Sequence, residues 1–187
     1  KRRRIKKIGI SFTVANVENE IGETVENFKN AIKPNTKLVF ISGASNVTGQ
    51  ILPVAEIGKI CKNRGILFGV DAAQTAGVLP LNMQKDNIDF LCIAPHKGLY
   101  APMGIGVLIC RKSLKNTIIE GGTGTDSFNF LQPLDIPEGF ESGTVNVPAI
   151  MGVGAGIDFV QKLTLERIYK HEFSLLEMLY KKLSKNE

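Results

Sequence analysis

Apolar residues gather into four short runs within the first 110 positions: 37–42 (KLVFIS), 65–70 (GILFGV), 87–93 (NIDFLCI) and 106–110 (GVLIC). Their length and β-branched content predict strands, and the first follows the turn-forming Lys33-Pro34-Asn35. Between the first two, residues 53–63 (PVAEIGKICKN) set Val54, Ile57, Ile60 and Cys61 at helical spacing behind a proline, which predicts a helix. Any helix between the second and third strands is short. Strands without polar alternation are buried on both sides. The pattern therefore predicts an α/β fold, a mostly parallel sheet with helices on both faces.

The character of the chain changes after the third strand. Residues 98–104 make a Gly/Pro-rich loop, and residues 121–143 (GGTGTDSFNFLQPLDIPEGFESG) a longer one in which turn residues outnumber apolar ones. Loops of that length are usually functional or disordered. Residues 147–163 then read as a helix with close-packing Gly152, Gly154 and Gly156. Residues 164–183 read as a second, made amphipathic by Leu165, Ile168, Leu175, Leu176, Leu179 and Leu183. That stripe calls for a partner beyond residue 187. The chain has no initiator Met and opens and closes in helix-like segments, so a piece of a longer protein is expected. Residues 1–163 would be one domain, incomplete, and 164–187 a connecting helix toward a missing smaller domain.

Composition narrows the partners. A chain of 187 residues, 43% hydrophobic and 22% charged, suits a globular protein with one core. The net charge of +5 comes from Lys1, Arg2, Arg3, Arg4, Lys6 and Lys7, and removing these six leaves −1 on the rest. So localised a charge reads as the solvated end of a helix, and no nucleic-acid partner is expected. Cys61, Cys92 and Cys110 are far apart, with no CxxC pair, which gives neither a disulfide framework nor a metal site. No apolar run approaches the ~20 residues that span a bilayer, and no signal peptide is evident. A cytoplasmic protein with no membrane partner is the expectation.

The candidate chemistry lies between residues 70 and 106. Asp71 ends an apolar strand, where open α/β sheets bind ligands. Lys97 follows the next strand, beside His96 and ahead of a Gly-rich loop, and lysine is seldom placed inside without a task. One such task is a Schiff base, which needs a neutral amine obtained by desolvation or nearby positive charge. Pyridoxal phosphate (PLP) additionally needs a carboxylate opposite its ring nitrogen. Taken singly, Asp71 also suits a turn or a helix cap, Asn46 a turn, and His96 a structural hydrogen bond.

Taken together, DAAQ at 71–74 and HK at 96–97, with Asp71 and Lys97 26 residues apart, resemble the class V aminotransferase group of fold type I PLP enzymes. Within that group they are similar to cysteine desulfurases and selenocysteine lyases. ASNVTGQILPVAEI (44–57) and ESGTVNVPAI (141–150) look like two further motifs of the group, in the same order. The resemblance implies the large domain of that fold, and PLP as cofactor. Lys97 would form the Schiff base and later move the substrate α-proton. Asp71 would pair with the pyridinium nitrogen, Gln74 would donate to the phenolic oxygen, and His96 would sit against the phosphate and the Schiff-base region as a second catalytic residue. Asn46 would touch the substrate carboxylate. Thr144 would reach the phosphate of the other subunit of a homodimer, across a loop shaped by Gly121 to Gly124.

The implied activity removes sulfur from L-cysteine, giving alanine and an enzyme persulfide that a sulfur-acceptor protein unloads. Close relatives carry out transamination or selenocysteine cleavage instead. A reading of another class is a truncated, non-catalytic scaffold or binding domain. Ala94 departs from the group's pattern, which has Ser or Thr three residues before the lysine to bind the phosphate. The group's persulfide cysteine and carboxylate-binding arginine belong downstream of these residues. The three cysteines here, one on a predicted helix and two on predicted strands, read as core thiols.

Overall fold

The computed structural model describes residues 9–117, 119–122 and 128–185. The basic cluster at Lys1 to Lys7, and Gly124, lie outside the described residues. All four expected strands form: β1 (Leu38–Ser42), β2 (Leu67–Asp71), β3 (Phe90–Ile93) and β4 (Val107–Cys110). They lie side by side in sequence order, with β1, β2 and β3 parallel and β4 antiparallel at the edge. A parallel neighbour needs a crossover. The expected helix, α2 (Val54–Asn63), supplies it between β1 and β2. It is preceded by α1 (Ile21–Ala31), a helix beyond the sequence-based expectation. No regular helix intervenes between β2 and β3, only successive turns.

The core lies between α2 and one face of the sheet. Val54, Ile57, Gly58 and Cys61 are buried on α2, one helical stripe. They meet Val39 and Ile41 of β1, Phe68 and Val70 of β2, and Leu91 of β3 in a single cluster. Gly58 permits this approach, since a Cβ there would strike the Asp86 carbonyl and crowd the Phe68 ring. The opposite face carries Leu38, Phe40, Leu67 and Leu108, all exposed. Phe40 and Gly69 are register partners, and the Phe40 ring lies over the glycine.

The two C-terminal helices also form where expected, as α3 (Val147–Leu163) and α4 (Leu165–Leu183). Asn146 caps α3 by accepting the Ala149 N–H at 3.2 Å. The chain breaks between the two helices at Thr164, whose φ of 71° lies in the left-handed region. Thr164 then caps α4 through the Arg167 N–H. Ile168 is the buried residue of α4, so most of its apolar stripe is exposed. Between β4 and α3 runs the expected long loop, whose described residues hold one 3-10 turn, Glu138–Phe140. No helix among the described residues is long and apolar enough to cross a membrane.

The three cysteines are free, on α2, β3 and β4 as expected. Only Cys61 is fully buried, while Cys92 and Cys110 are half-buried. Burial, and next the negative charge of Asp89, push the Cys61 thiol up from 9.0 to about 11. The unfolded chain releases this proton first, so the thiol's contribution to stability is complete below pH 9.0 and is lost as pH rises to about 11. In chemical denaturation, a Cys61→Ala variant is expected to start less stable than the parent. It should then lose less stability across that alkaline window. Parallel slopes for the two proteins would refute the assignment.

Candidate active site

The carboxyl ends of the parallel strands carry the candidate chemistry. Ser42 and Asp71 are register partners at the ends of β1 and β2, and Asp71 is the partner of Cys92 on β3. A cleft of about 640 Å3 opens there. Asn46, Asp71, Gln74 and Lys97 all line it, from three different connections. This is where open α/β sheets hold ligands.

Each side chain is placed by its backbone. Asp71 is half-buried, and its Oδ1 accepts the Ala73 N–H at 2.9 Å, which turns the chain sharply after β2 and brings Gln74 round to the cleft. The Asp71 carbonyl accepts the Gly43 N–H at 2.8 Å, and the Ala72 N–H donates to the Cys92 carbonyl at 2.8 Å. The start of the turn is thereby fixed to both neighbouring strands. Thr75, fully buried, packs its side chain against Gly43. The Lys97 turn is closed by the Lys97 N–H to Ala94 at 3.1 Å, Tyr100 to Lys97 at 3.0 Å and Ala101 to Pro95 at 3.1 Å. Pro95 is buried beneath it, and the Lys97 side chain is exposed toward the cleft.

Two glycines join these turns. A Cβ on Gly77 would collide with the Gly98 carbonyl, and a Cβ on Gly98 with the Ala76 carbonyl. Gly77 also has a φ of 84°, which favours glycine. Helix α3 backs the Lys97 loop in the same way, with Gly156 against the Leu99 carbonyl and Gly152 against the Pro102 ring.

His96 is exposed and does not line the cleft, although Lys97 beside it does. Thr144 is likewise exposed and outside the lining, in the loop before α3. Gly121 and Gly122 fold back toward that loop, where the Gly143 N–H meets the Gly122 carbonyl at 2.6 Å. Cys92 stands beside Asp71, and its thiol is pushed up by burial first and by the Asp71 charge second.

Part of the cleft wall comes from residues beyond the sequence-based expectation. Val17 and Phe28 line the cleft from the segment before α1 and from α1 itself, and Gln50 lines it from the hairpin that carries Asn46. The signal for α1 was present, since Ile21, Val25, Phe28 and Ile32 recur at helical spacing. Gln50 gives no such signal.

Known proteins resolve the family. The family model for aminotransferase class-V matches residues 3–187. The chain belongs to that family. It is 33% identical over 184 residues to a protein of Methanothermobacter thermautotrophicus and 34% identical over 180 residues to one of Pyrococcus abyssi, each named "Probable cysteine desulfurase". These alignments cover 95% and 92% of this chain but 46% and 44% of those proteins. The apo structure of cysteine desulfurase from Thermococcus onnurineus NA1 superposes with a TM-score of 0.82 at 34% identity, covering 98% of this chain and 47% of that one. The chain thus spans less than half the length of its relatives.

Members of this class-V family are PLP-dependent, and the donor set of the cleft fits that cofactor. Asp71 offers a carboxylate whose Oδ2 makes no hydrogen bond among the described residues, suited to a protonated ring nitrogen. Lys97 offers a primary amine for the aldehyde, and Gln74 an amide donor for the phenolic oxygen. The glycine contact between the two turns is open to a direct test by thermal melting. Gly98→Ala is expected to cost about 1–3 kcal/mol through forced backbone separation. Gly154→Ala, at a helical site with nothing within 4 Å, should instead stabilise by roughly 0.5–1 kcal/mol. A Gly98→Ala protein as stable as the parent would remove the contact from this account.

Proposed function

We propose that this chain is the cofactor-carrying part of a PLP-dependent cysteine desulfurase, which converts L-cysteine to alanine and passes the sulfur to an enzyme thiolate. The observation that carries this reading is the convergence of Asp71, Gln74, Lys97 and Asn46 on one cleft, in a chain of this family. Bound PLP supplies the electron sink for labilising bonds at the substrate α-carbon.

The chain's own residues do the rest. Lys97 Nζ anchors the cofactor and then serves as the base that moves the α-proton. Asp71 holds positive charge on the ring nitrogen by a fixed, half-buried carboxylate, a preorganised electrostatic contribution. Gln74 orients the phenolic oxygen, and Asn46 holds the substrate carboxylate. His96, exposed beside the anchor and outside the cleft lining, would serve the phosphate and the region around the anchor.

We read the sulfur-accepting thiolate as none of the three cysteines described here, which are set in α2, β3 and β4. Burial is the leading cause that raises each of their pKa values, opposite to what a nucleophilic thiol needs. The enzyme persulfide would form on a cysteine of the longer protein, from which a sulfur-acceptor protein takes the sulfur.

The working form would be a homodimer, in which Thr144 serves the phosphate of the partner subunit. Supporting this, the loop before Thr144 exposes Phe128, Phe130, Leu131, Leu134 and Ile136, an apolar run with no cover among the described residues. Residues 1–163 would belong to the cofactor domain. Residues 164–187 would form a connector, a role suited to a helix that buries only Ile168. Three free thiols suit a reducing compartment such as the cytoplasm.

Adding PLP is expected to produce the visible absorbance of a lysine-bound cofactor, and Lys97→Ala should abolish it. A band that survives the substitution would refute the anchor. No band in the parent chain would favour a non-catalytic module. Ala94→Ser should tighten PLP binding in an equilibrium titration by about 1.5–3 kcal/mol, the worth of a hydrogen bond to a charged phosphate. Unchanged affinity would mean that other groups already saturate that oxygen.

A further inference from the structure

The hairpin bearing Asn46 is closed by its own bonds. The Ser45 N–H reaches the Gln50 carbonyl at 2.9 Å and the Gly49 N–H the Ser45 carbonyl at 3.0 Å. The Ser45 hydroxyl accepts the N–H groups of Val47 and Thr48, each at 3.2 Å. These bonds fix the hairpin's shape, and its base is pinned by the Gly43 N–H to the Asp71 carbonyl at 2.8 Å and the Leu52 N–H to the Gly43 carbonyl at 2.9 Å. Gln50 supplies a further tie, from the far side of the hairpin to the segment before α1. Its Nε2 donates to the main-chain carbonyl of Glu18.

That carbonyl is itself held from the other side. The Thr24 hydroxyl donates to it at 3.2 Å and accepts the Glu18 N–H at 2.9 Å. Thr24 is 1% exposed, in the first turns of α1, and is therefore a fixed point. Asn27, one turn on, donates to Glu18 Oε1 at 3.2 Å. A relay of hydrogen bonds thus runs from a buried helix residue through Glu18 to Gln50. Gln50, at one end of its last link, and Val17, the residue next to Glu18 at the other, both line the cleft.

We infer that Gln50 is a positioning residue for the amino-acid substrate: by hanging the hairpin on Glu18, it sets where Asn46 stands to receive the substrate carboxylate. This rests on reading the cleft as a cysteine site and extends that reading to a residue with no role toward the cofactor. Asp71, Gln74 and Lys97 hang on the turns after β2 and β3, which the Glu18 relay does not touch. Releasing the hairpin therefore weakens substrate capture and leaves cofactor capture alone. One neutral hydrogen bond of this kind corresponds to roughly a three- to tenfold effect.

The test uses Gln50→Leu in the PLP-loaded full-length protein that carries the sulfur-accepting cysteine, with Gln50→Met as a second variant should leucine impair folding. The KM for L-cysteine should rise three- to tenfold on the scale of one hydrogen bond, with kcat and the cofactor absorbance little changed. In cofactor-free protein, amide hydrogen exchange across residues 45–50 should accelerate. Thr24→Ser, which keeps the hydroxyl, should match the parent, and Thr24→Val should follow Gln50→Leu. Unchanged KM and exchange would overturn the inference, as would a KM rise accompanied by loss of the cofactor band, the mark of general collapse. If the parent neither takes PLP through Lys97 nor turns over cysteine, the reading of the cleft fails. The exchange measurement still decides whether Gln50 tethers the hairpin.

Discussion

Everything at the cleft depends on a contact between two stretches of backbone with no side chain between them. Gly77 ends the turn that carries Asp71 and Gln74, and Gly98 follows Lys97, and each would collide with the other turn's backbone if it bore a Cβ. The register of β2 and β3 brings the two turns side by side, since Asp71 and Cys92 are partners. Register alone leaves their relative height free. The glycine contact removes that freedom, and Gly156 of α3 closes on the Lys97 loop from behind. The amine proposed to carry the cofactor is thus placed by main-chain packing, although its own side chain is exposed.

The same economy governs charge. Asp71 accepts the Ala73 N–H on one carboxylate oxygen and lines the cleft, so a single residue both shapes the turn and brings negative charge to the cleft. Its strand partner Cys92 would compete with it as a thiolate. Burial first, and the Asp71 charge second, raise the pKa of that thiol, which disfavours a second anion beside the carboxylate.

The sheet was legible in the sequence because its strands are apolar along their length, although only the face toward α2 is buried and the other, with Leu38, Phe40, Leu67 and Leu108, is exposed. KLVFIS, NIDFLCI and GVLIC each contain the observed strand, and GILFGV holds all of β2 but its last residue, Asp71. The reversal of β4 was not legible, since strand direction follows from the path of the loop before it and leaves no periodicity behind. Helix α1 was overlooked for another reason. Its sequence, IGETVENFKNA, is mostly polar and Thr24 is its buried residue, so the stripe of Ile21, Val25 and Phe28 is diluted. At the cleft, Asp71, Gln74 and Lys97 stood out because their residue types and spacing carry a chemical meaning. Gln50 could not, because its partner is a carbonyl 32 residues away and any residue has a carbonyl.

The two sides of the cleft are therefore built from different materials. On the cofactor side, glycine contacts between main chains leave no room for even a methyl group, and small changes there propagate at once. On the side proposed for the substrate, a hairpin hangs from side-chain amides and hydroxyls at Gln50, Thr24 and Ser45. Such bonds are individually worth little and are readily exchanged for others. A fold divided in this way can hold one cofactor geometry while the hairpin is retuned.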